Sequence, residues 1–231
     1  MKRLYTALIG GCLLCSACGT QYMVQGTSSV QSLEGNMLYL KVLQGDKMQA
    51  IDSSQVVHGR FHFQGNMDST MLANLYLDDI SLMPLVLEAG EVQLRIEEAQ
   101  QIVEGTPLND TLSAFIRRKT QIESALAELP RRESRMIMDG LDHDEVIREL
   151  SDELERLNAA NDRLVTSFIK QNYNNVLGPG VFMILTSSLR YPILNPQIES
   201  IAIDAPPYFL ENPYVKQYMK AARENMEKLR E

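Results

Sequence analysis

The chain has 231 residues, of which 45% are hydrophobic and 23% charged, and it carries a formal net charge of -8. The excess of 30 acidic over 22 basic residues argues against a protein that binds nucleic acid through its phosphate backbone. Only 13 glycines and 9 prolines are present, which excludes a fibrous or low-complexity chain. A chain of this size forms one or two globular domains whose cores need neither disulfides nor metals.

All three cysteines, Cys12, Cys15 and Cys18, lie within the first 18 residues. They follow a positive start at Lys2 and Arg3 and a short apolar run, a pattern typical of a secretory signal peptide. The apolar run is shorter than the about 20 residues that a membrane-spanning helix needs. Two overlapping Cys-x-x-Cys pairs would also suit a redox or iron–sulfur site, but the surrounding residues favour export and processing.

Residues 16–18, Ser-Ala-Cys, resemble the lipobox at which bacterial lipoproteins are cleaved and lipidated. The resemblance implies a signal peptide at 1–17, lipidation of Cys18 with fatty acids such as palmitate, and a lipidated tether at 18–21. Cys12 is a second candidate for lipidation, and a secreted protein without lipid is the alternative. Two or more acyl chains suffice for stable membrane anchoring. In some Gram-negative groups, lipoproteins that are exported to the cell surface carry an acidic run just after the lipidated cysteine. Because no such run follows Cys18, the resemblance implies the periplasmic face of the cell envelope, with the outer membrane favoured.

Residues 22–105 are predicted to form a strand-rich domain, because short apolar segments alternate with turn residues at intervals of about 8–12 residues. The clearest segment is 59–65, in which Phe61 and Phe63 share one face of a strand. Seven or eight such strands predict an antiparallel β-sandwich or an open barrel. The other clear strands are predicted at 37–43, 47–51, 72–77, 82–87 and 92–96.

The pattern becomes helical at Thr106, which can cap a helix whose first residue is Pro107. Apolar residues then recur at three- and four-residue spacing up to Pro130, and a second run of this kind extends over 147–168. Two apolar seams, joined by a connection rich in Arg and Asp, predict an antiparallel helical hairpin over about 107–172. The seam residues are Leu112, Phe115, Ile122, Leu126 and Leu129, then Ile147, Leu150, Leu154, Leu157, Leu164 and Phe168.

The predicted helical part extends over 106–231 and ends in terminal helices at 176–231. Within those terminal helices we expect a break at 178–180, helices at 181–189 and 196–202, a loop at 206–209 and a final helix at 214–230. The predicted fold class is therefore α+β, with a strand-rich N-terminal domain followed by a helical hairpin and C-terminal helices.

Three groups of residues resemble the uncharacterised N-terminal domain that precedes a thioredoxin-like domain in many lipid-anchored thiol-disulfide oxidoreductases related to peroxiredoxins. The groups are Val57-His58-Gly59-Arg60-Phe61-His62-Phe63-Gln64-Gly65 after Asp52-Ser53, then Leu87-Glu88-Ala89-Gly90, then Val103-Glu104-Gly105-Thr106-Pro107-Leu108-Asn109-Asp110 with Phe115. The resemblance covers roughly 22–115 and implies redox chemistry in a thioredoxin-like domain that follows. Such chemistry requires a thiolate, and no cysteine follows Cys18. None of the family's redox residues is therefore carried over to this chain.

The three histidines offer little material for a metal site. His58 and His62 are predicted on one strand face but about 13 Å apart, which is too far to share one metal ion. His143 lies in an acidic segment that suits the start of a helix. Asp78 and Asp79 predict a solvated turn. We therefore predict no catalytic, cofactor-binding or metal-binding residues.

Aromatic residues and a methionine gather in the last fifty residues of the chain. They are Met183, Tyr191, Tyr208, Phe209, Tyr214 and Tyr218. Residues of this kind either line a groove for an extended or helical peptide or pack in the core of the final helices, and core packing is the favoured interpretation.

The sequence thus predicts a non-enzymatic envelope lipoprotein, held to the membrane through lipid on Cys18. Its expected role is a binding or interaction module, derived from a thiol-disulfide oxidoreductase architecture, with an envelope protein as its possible partner and no nucleic-acid partner. The alternative is an accessory docking subunit for a separate thioredoxin-like oxidoreductase in the periplasm.

Overall fold

The computed structural model describes residues 20–45 and 47–229, in which eight strands precede six helices. The strands are β1 (Thr20–Ser28), β2 (Met37–Gln44), β3 (Lys47–Gln55), β4 (Arg60–Met67), β5 (Met71–Leu77), β6 (Ile80–Leu87), β7 (Gly90–Ile96) and β8 (Gln101–Glu104). The helices are α1 (Pro107–Met138), α2 (His143–Gln171), α3 (Leu177–Ser187), α4 (Pro196–Ile203), α5 (Pro207–Leu210) and α6 (Pro213–Lys228). The predicted α+β class is confirmed. The signal peptide, Cys12, Cys15 and the lipidation site Cys18 lie outside the described residues.

The strands form two four-stranded sheets, sheet A in the order β4-β1-β7-β8 and sheet B in the order β3-β2-β5-β6. Alternate side chains of both sheets point into one shared core, among them Val24 and Phe63 of sheet A and Leu40 and Leu75 of sheet B. The described strands do not close into a barrel. Because the strands form two separate sheets that face each other across one core, the sandwich is observed and not the open barrel.

One strand pair differs from the antiparallel prediction. β1 and β7 run parallel, with Val24 opposite Val92, whereas every other pair within the two sheets is antiparallel in the described part of the chain. The two-residue period of a strand determines which side chains share a face, but it does not determine the direction of the neighbouring strand. The parallel pair could therefore not be predicted from alternation.

Side chains of β3 join the two sheets at one corner of the sandwich. Asp52 Oδ2 accepts hydrogen bonds from the Gln64 backbone N–H and the Tyr22 hydroxyl, both at 3.2 Å, and Ser54 Oγ accepts one from the His62 backbone N–H at 3.1 Å. Burial, followed by the nearby Asp52 carboxylate, raises the pKa of Tyr22 to about 12, because both disfavour the phenolate. The free edge of β4 is thus protected by side chains from the opposite sheet.

The helical hairpin is present, but its connection is shorter than predicted. α1 continues through Pro130 and ends at Met138, so only residues 139–142 separate it from α2. Pro130 lies on the exposed side of α1. It has no N–H to donate to the Leu126 carbonyl, and water can bind this carbonyl instead. Asp142 begins α2 by accepting hydrogen bonds from two backbone N–H groups of its first turn.

The apolar seam of α2 agrees with the predicted one only in part. Leu150 and Phe168 are buried as predicted, but Ile147 and Leu154 are 41% and 45% exposed, and Val146, outside the predicted seam, is 1% exposed. Near the sandwich the buried face also includes Ile169, because α3 and α4 pack there as well as α1. A straight helix that contacts several neighbours does not keep a coiled-coil repeat along its whole length.

The first of the terminal helices begins four residues earlier than predicted, at Leu177 and not at 181. The segment 178–180 was expected to break the chain but forms the first turn of α3, where a proline costs no helical hydrogen bond. Gly178 permits a close approach to the end of α2, since a Cβ at this position would lie 2.4 Å from the Asn172 backbone oxygen. The expected loop at 206–209 includes most of the single helical turn α5.

Candidate functional site

A cleft of about 310 Å³ lies where sheet B meets the terminal helices. Strands β2, β3 and β5 form one wall, and α3, α5, α6 and the residues before them form the other. The lining residues are Val42, Leu43, Gln44, Met48, Thr70, Met71, Leu72, Asn74, Val176, Pro179, Gly180, Met183, Tyr208, Asn212 and Tyr214. The cleft is at the small end of the range for ligand pockets and is large enough for one or two side chains of a partner.

The described residues of the cleft carry no charge, although 23% of the whole chain is charged. Three methionines, Met48, Met71 and Met183, lie on different elements around it. Methionine side chains are flexible and polarizable, so a methionine-lined surface adapts to apolar groups of different shapes. The polar part of the lining comes from Gln44, Thr70, Asn74 and Asn212 and from two tyrosines. This chemistry suits a neutral, mainly apolar ligand.

The helical wall of the cleft is fixed by hydrogen bonds within the terminal helices. The Tyr214 hydroxyl lies 2.9 Å from Thr186 Oγ1, which connects α6 to α3. Asn212 begins α6, because its side-chain oxygen accepts hydrogen bonds from the Tyr214 and Val215 backbone N–H groups. Tyr208 is 57% exposed at the rim. One rim residue is therefore available to a partner while the wall behind it is held in place.

The aromatic cluster predicted from the sequence is divided between the cleft and the core. Met183, Tyr208 and Tyr214 line the cleft, as the groove interpretation expected. Phe209 and Tyr218 are buried, and each packs against Phe182 in an edge-to-face arrangement. Tyr191 is exposed and does not line the cleft. Each interpretation therefore applies to part of the set.

A buried polar network joins the sandwich to α1. Asn109 is fully buried; its side chain accepts from the Val86 N–H at 2.8 Å and donates to the Val86 carbonyl at 2.7 Å, which imitates a neighbouring strand. It also donates to Thr106 Oγ1 at 2.8 Å. The Glu88 carboxylate accepts hydrogen bonds from the Leu108 and Asn109 backbone N–H groups. Glu88 therefore caps α1.

The role predicted for Thr106 is corrected by this network. Thr106 occupies the N-cap position, but its side chain accepts no hydrogen bond from the backbone of α1. Thr106 is buried and uses its hydroxyl to bind Asn109, so the capping function passes to Glu88, which is distant in sequence. The residue groups 87–90 and 103–110 of the sequence resemblance thus meet in space.

The comparisons with known proteins agree with this sandwich as a unit that ends near the start of α1. Residues 22–112 match the model for Domain of unknown function (DUF4369). The chain thus contains a DUF4369 domain. Neither the comparison with curated proteins nor that with solved structures gave a match. The matched stretch nearly coincides with the 22–115 over which the sequence resemblance extends.

The DUF4369 domain supplies only the sheet wall of the cleft. β2, β3 and β5 lie within the match, whereas α3, α5 and α6 follow it. The network around Asn109 lies at the C-terminal boundary of the match, where the DUF4369 domain is attached to the helical part. The cleft therefore lies between the DUF4369 domain and the helices that follow it in this chain.

The other predicted positions do not form a site in the described part of the chain. His58 lies in a turn with a φ of 51° and precedes β4, so its predicted place on one strand with His62 is wrong. Asp78 and Asp79 form the tight turn between β5 and β6, as predicted. Residues 20–45 and 47–229 contain no group of three or more His, Cys, Asp or Glu side chains suited to a metal ion. Within the same residues no helix is both long and apolar enough to cross a membrane.

Proposed function

We propose that this chain is a non-enzymatic binding module of the cell envelope, anchored by lipid on Cys18 and facing the periplasm. It holds an apolar segment of an envelope protein in the cleft between sheet B and the terminal helices. The observation that supports this role is the cleft itself, whose described lining combines three methionines with two tyrosines and contains no carboxylate, histidine, cysteine or lysine. Side chains of those four kinds are the usual acids, bases and nucleophiles of enzymes.

The sequence resemblance adds an evolutionary origin to this proposal. The module descends from the N-terminal part of a thiol-disulfide oxidoreductase architecture and has kept a binding role without a thiolate of its own. A thioredoxin-like oxidoreductase is accordingly one specific partner that the test below can identify.

The proposed role predicts that a photo-crosslinker placed at the rim of the cleft captures an envelope protein. Tyr208→p-benzoylphenylalanine places the crosslinker at the rim, and Tyr191→p-benzoylphenylalanine is a matched control because Tyr191 has a similar exposure of 52% outside the cleft. After irradiation of cells, we expect a discrete adduct from position 208 and none of that mass from position 191. Immunoblotting shows the adducts, and mass spectrometry identifies the partner.

A charge in the cleft should remove the same adduct. Met183→Glu puts a carboxylate among apolar lining residues and should reduce the yield of the position-208 adduct at least about ten-fold, because desolvating a charge opposes apolar binding. Met138→Glu is the control, since Met138 is 85% exposed at the end of α1 and away from the cleft. Equal capture at both crosslinker positions, or an adduct unaffected by Met183→Glu, would contradict the proposal that the cleft binds an envelope protein. A thioredoxin-like protein in the adduct would assign the accessory role.

The proposed lipid anchor on Cys18 makes a separate prediction about membrane attachment. Cys18→Ala should abolish labelling of the chain with radioactive palmitate and move it from the membrane fraction to the soluble fraction, because no acyl chain is then attached. Cys12→Ala is the matched control and should leave both properties unchanged. If Cys18→Ala stays labelled, or if Cys12→Ala loses its label, lipidation at Cys18 is wrong.

A further inference from the structure

A second surface, unrelated to the cleft, runs between α1 and α2 in the half of the hairpin next to the sandwich. Two cavities of about 480 and 340 Å³ adjoin there, and Arg118, Leu164 and Ser167 line both of them. We name this surface the hairpin groove; it extends from Thr111 to Ile122 on α1. At a rise of 1.5 Å per residue the groove is about 17 Å long, or about three helical turns. None of its lining residues lines the cleft.

The floor of the hairpin groove is apolar, and small alanine side chains line part of its sides. Phe115 and Phe168 stack with ring centroids 4.1 Å apart beneath it, and Leu164 lies between the two cavities. Ala114 and Ala160 line it without filling it. The remaining uncharged polar lining residues are Thr111, Gln121, Ser167 and Gln171. A surface between two helices that combines apolar and polar side chains in this way accepts an amphipathic third helix in the manner of a helical bundle.

The edges of the hairpin groove are positively charged although the chain as a whole is acidic. Arg118 and Arg163 line it, and neither forms an ion pair within residues 20–45 and 47–229. The stretches 111–123 and 160–171, which form this half of the hairpin, contain five basic and two acidic residues. The stretch 124–159, which forms the other half, contains ten acidic and five basic residues. The positive charge is thus concentrated where the groove lies.

From this arrangement we propose that the hairpin groove binds an amphipathic helix of a partner protein, about three turns long, whose apolar face is flanked by Asp and Glu. The apolar face fills the hairpin groove over Phe115 and Leu164, and the flanking carboxylates pair with Arg118 and Arg163. Charge complementarity sets the orientation of the bound helix and excludes helices with basic flanks.

A designed peptide tests this binding directly. The probe is a fluorescein-labelled helical peptide of about 14 residues with Leu at i, i+3, i+4 and i+7 and Glu beside them, and the control peptide has Lys in place of each Glu. With the full-length chain, we expect a saturable rise in fluorescence anisotropy for the Glu peptide and none for the Lys peptide. The affinity for the Glu peptide should fall as the salt concentration rises, because exposed charges are screened.

Charge reversal in the hairpin groove should abolish the preference for the Glu peptide over the Lys peptide. Arg118→Glu combined with Arg163→Glu should weaken binding of the Glu peptide about ten-fold or more and strengthen binding of the Lys peptide. Arg190→Glu combined with Arg223→Glu makes the same change in charge at exposed residues outside the groove and should leave the affinity within about two-fold. Circular dichroism checks that both double variants are folded.

Three results would overturn the proposal: no binding of the Glu peptide, equal binding of the two peptides, or equal loss in the two double variants. Light scattering after size-exclusion chromatography identifies the competing occupant. If the chain self-associates through Arg118 and Arg163 without binding the peptide, the groove is occupied by the acidic half of a second copy's hairpin. The proposal that it binds a helix of a partner protein is then wrong.

Discussion

Asn109→Leu should lower the free energy of unfolding by about 4 kcal/mol, because it leaves the Val86 N–H and carbonyl without partners in a buried setting, at about 1–3 kcal/mol for each group. Leucine keeps the branched shape of the asparagine side chain but is bulkier and offers neither a donor nor an acceptor. The Thr106 hydroxyl loses its partner as well, since it accepts from the same amide. Urea denaturation of the full-length chain, followed by circular dichroism, measures the loss.

The control for Asn109 is the same exchange at an exposed helical asparagine. Asn158 lies on α2 and is exposed, so Asn158→Leu should change the free energy of unfolding by less than about 0.5 kcal/mol. Asn109→Leu with an equally small effect would show that the bonds between Asn109 and Val86 contribute little to stability.

Phe182→Ala should be destabilising by about 3–5 kcal/mol, the usual cost of truncating a fully buried aromatic side chain. Phe182 is 0% exposed, and its ring contacts Phe209 of α5 and Tyr218 of α6 with centroid distances of 5.6 and 5.4 Å. Both the apolar burial and two edge-to-face contacts are lost, and the cavity lies where three helices meet. The same denaturation experiment measures the change.

Ile184→Ala is the control within the same helix. Ile184 is 43% exposed, so its truncation removes little buried surface and should cost about 1 kcal/mol or less. A Phe182→Ala effect as small as that of Ile184→Ala would mean that the terminal helices are not held together around Phe182.

The parts of the fold that could be predicted are those whose signals are local. The alternation around Phe61 and Phe63 predicted their shared face, and the two side chains are 3% and 1% exposed. The strands predicted at 37–43 and 47–51 are likewise present as β2 and β3, which pair with each other as neighbours. In each case the side chains that determine the structure lie within a few residues of one another.

The parts that could not be predicted depend on partners distant in sequence. Asn109 looks like an ordinary residue of a helix N-terminus, yet it binds Val86, 23 residues earlier. The cleft combines positions from Val42 to Tyr214, and only the aromatic residues at its C-terminal side gave a signal in the sequence. The hairpin groove gave none, because its arginines resemble any solvated helix face until the two helices are placed side by side.

The central place of β1 in sheet A has a mechanical consequence. Eight residues of β1, starting at Thr20, pair with β4, and seven pair with β7, so that the strand is hydrogen-bonded along both edges. A pull on the chain at Thr20, directed along the strand, would have to shear two ladders at once, whereas a strand at the edge of a sheet is held by only one. The sandwich is therefore well placed to resist tension at its N-terminal end, which begins two residues after Cys18, the residue that we propose carries the lipid.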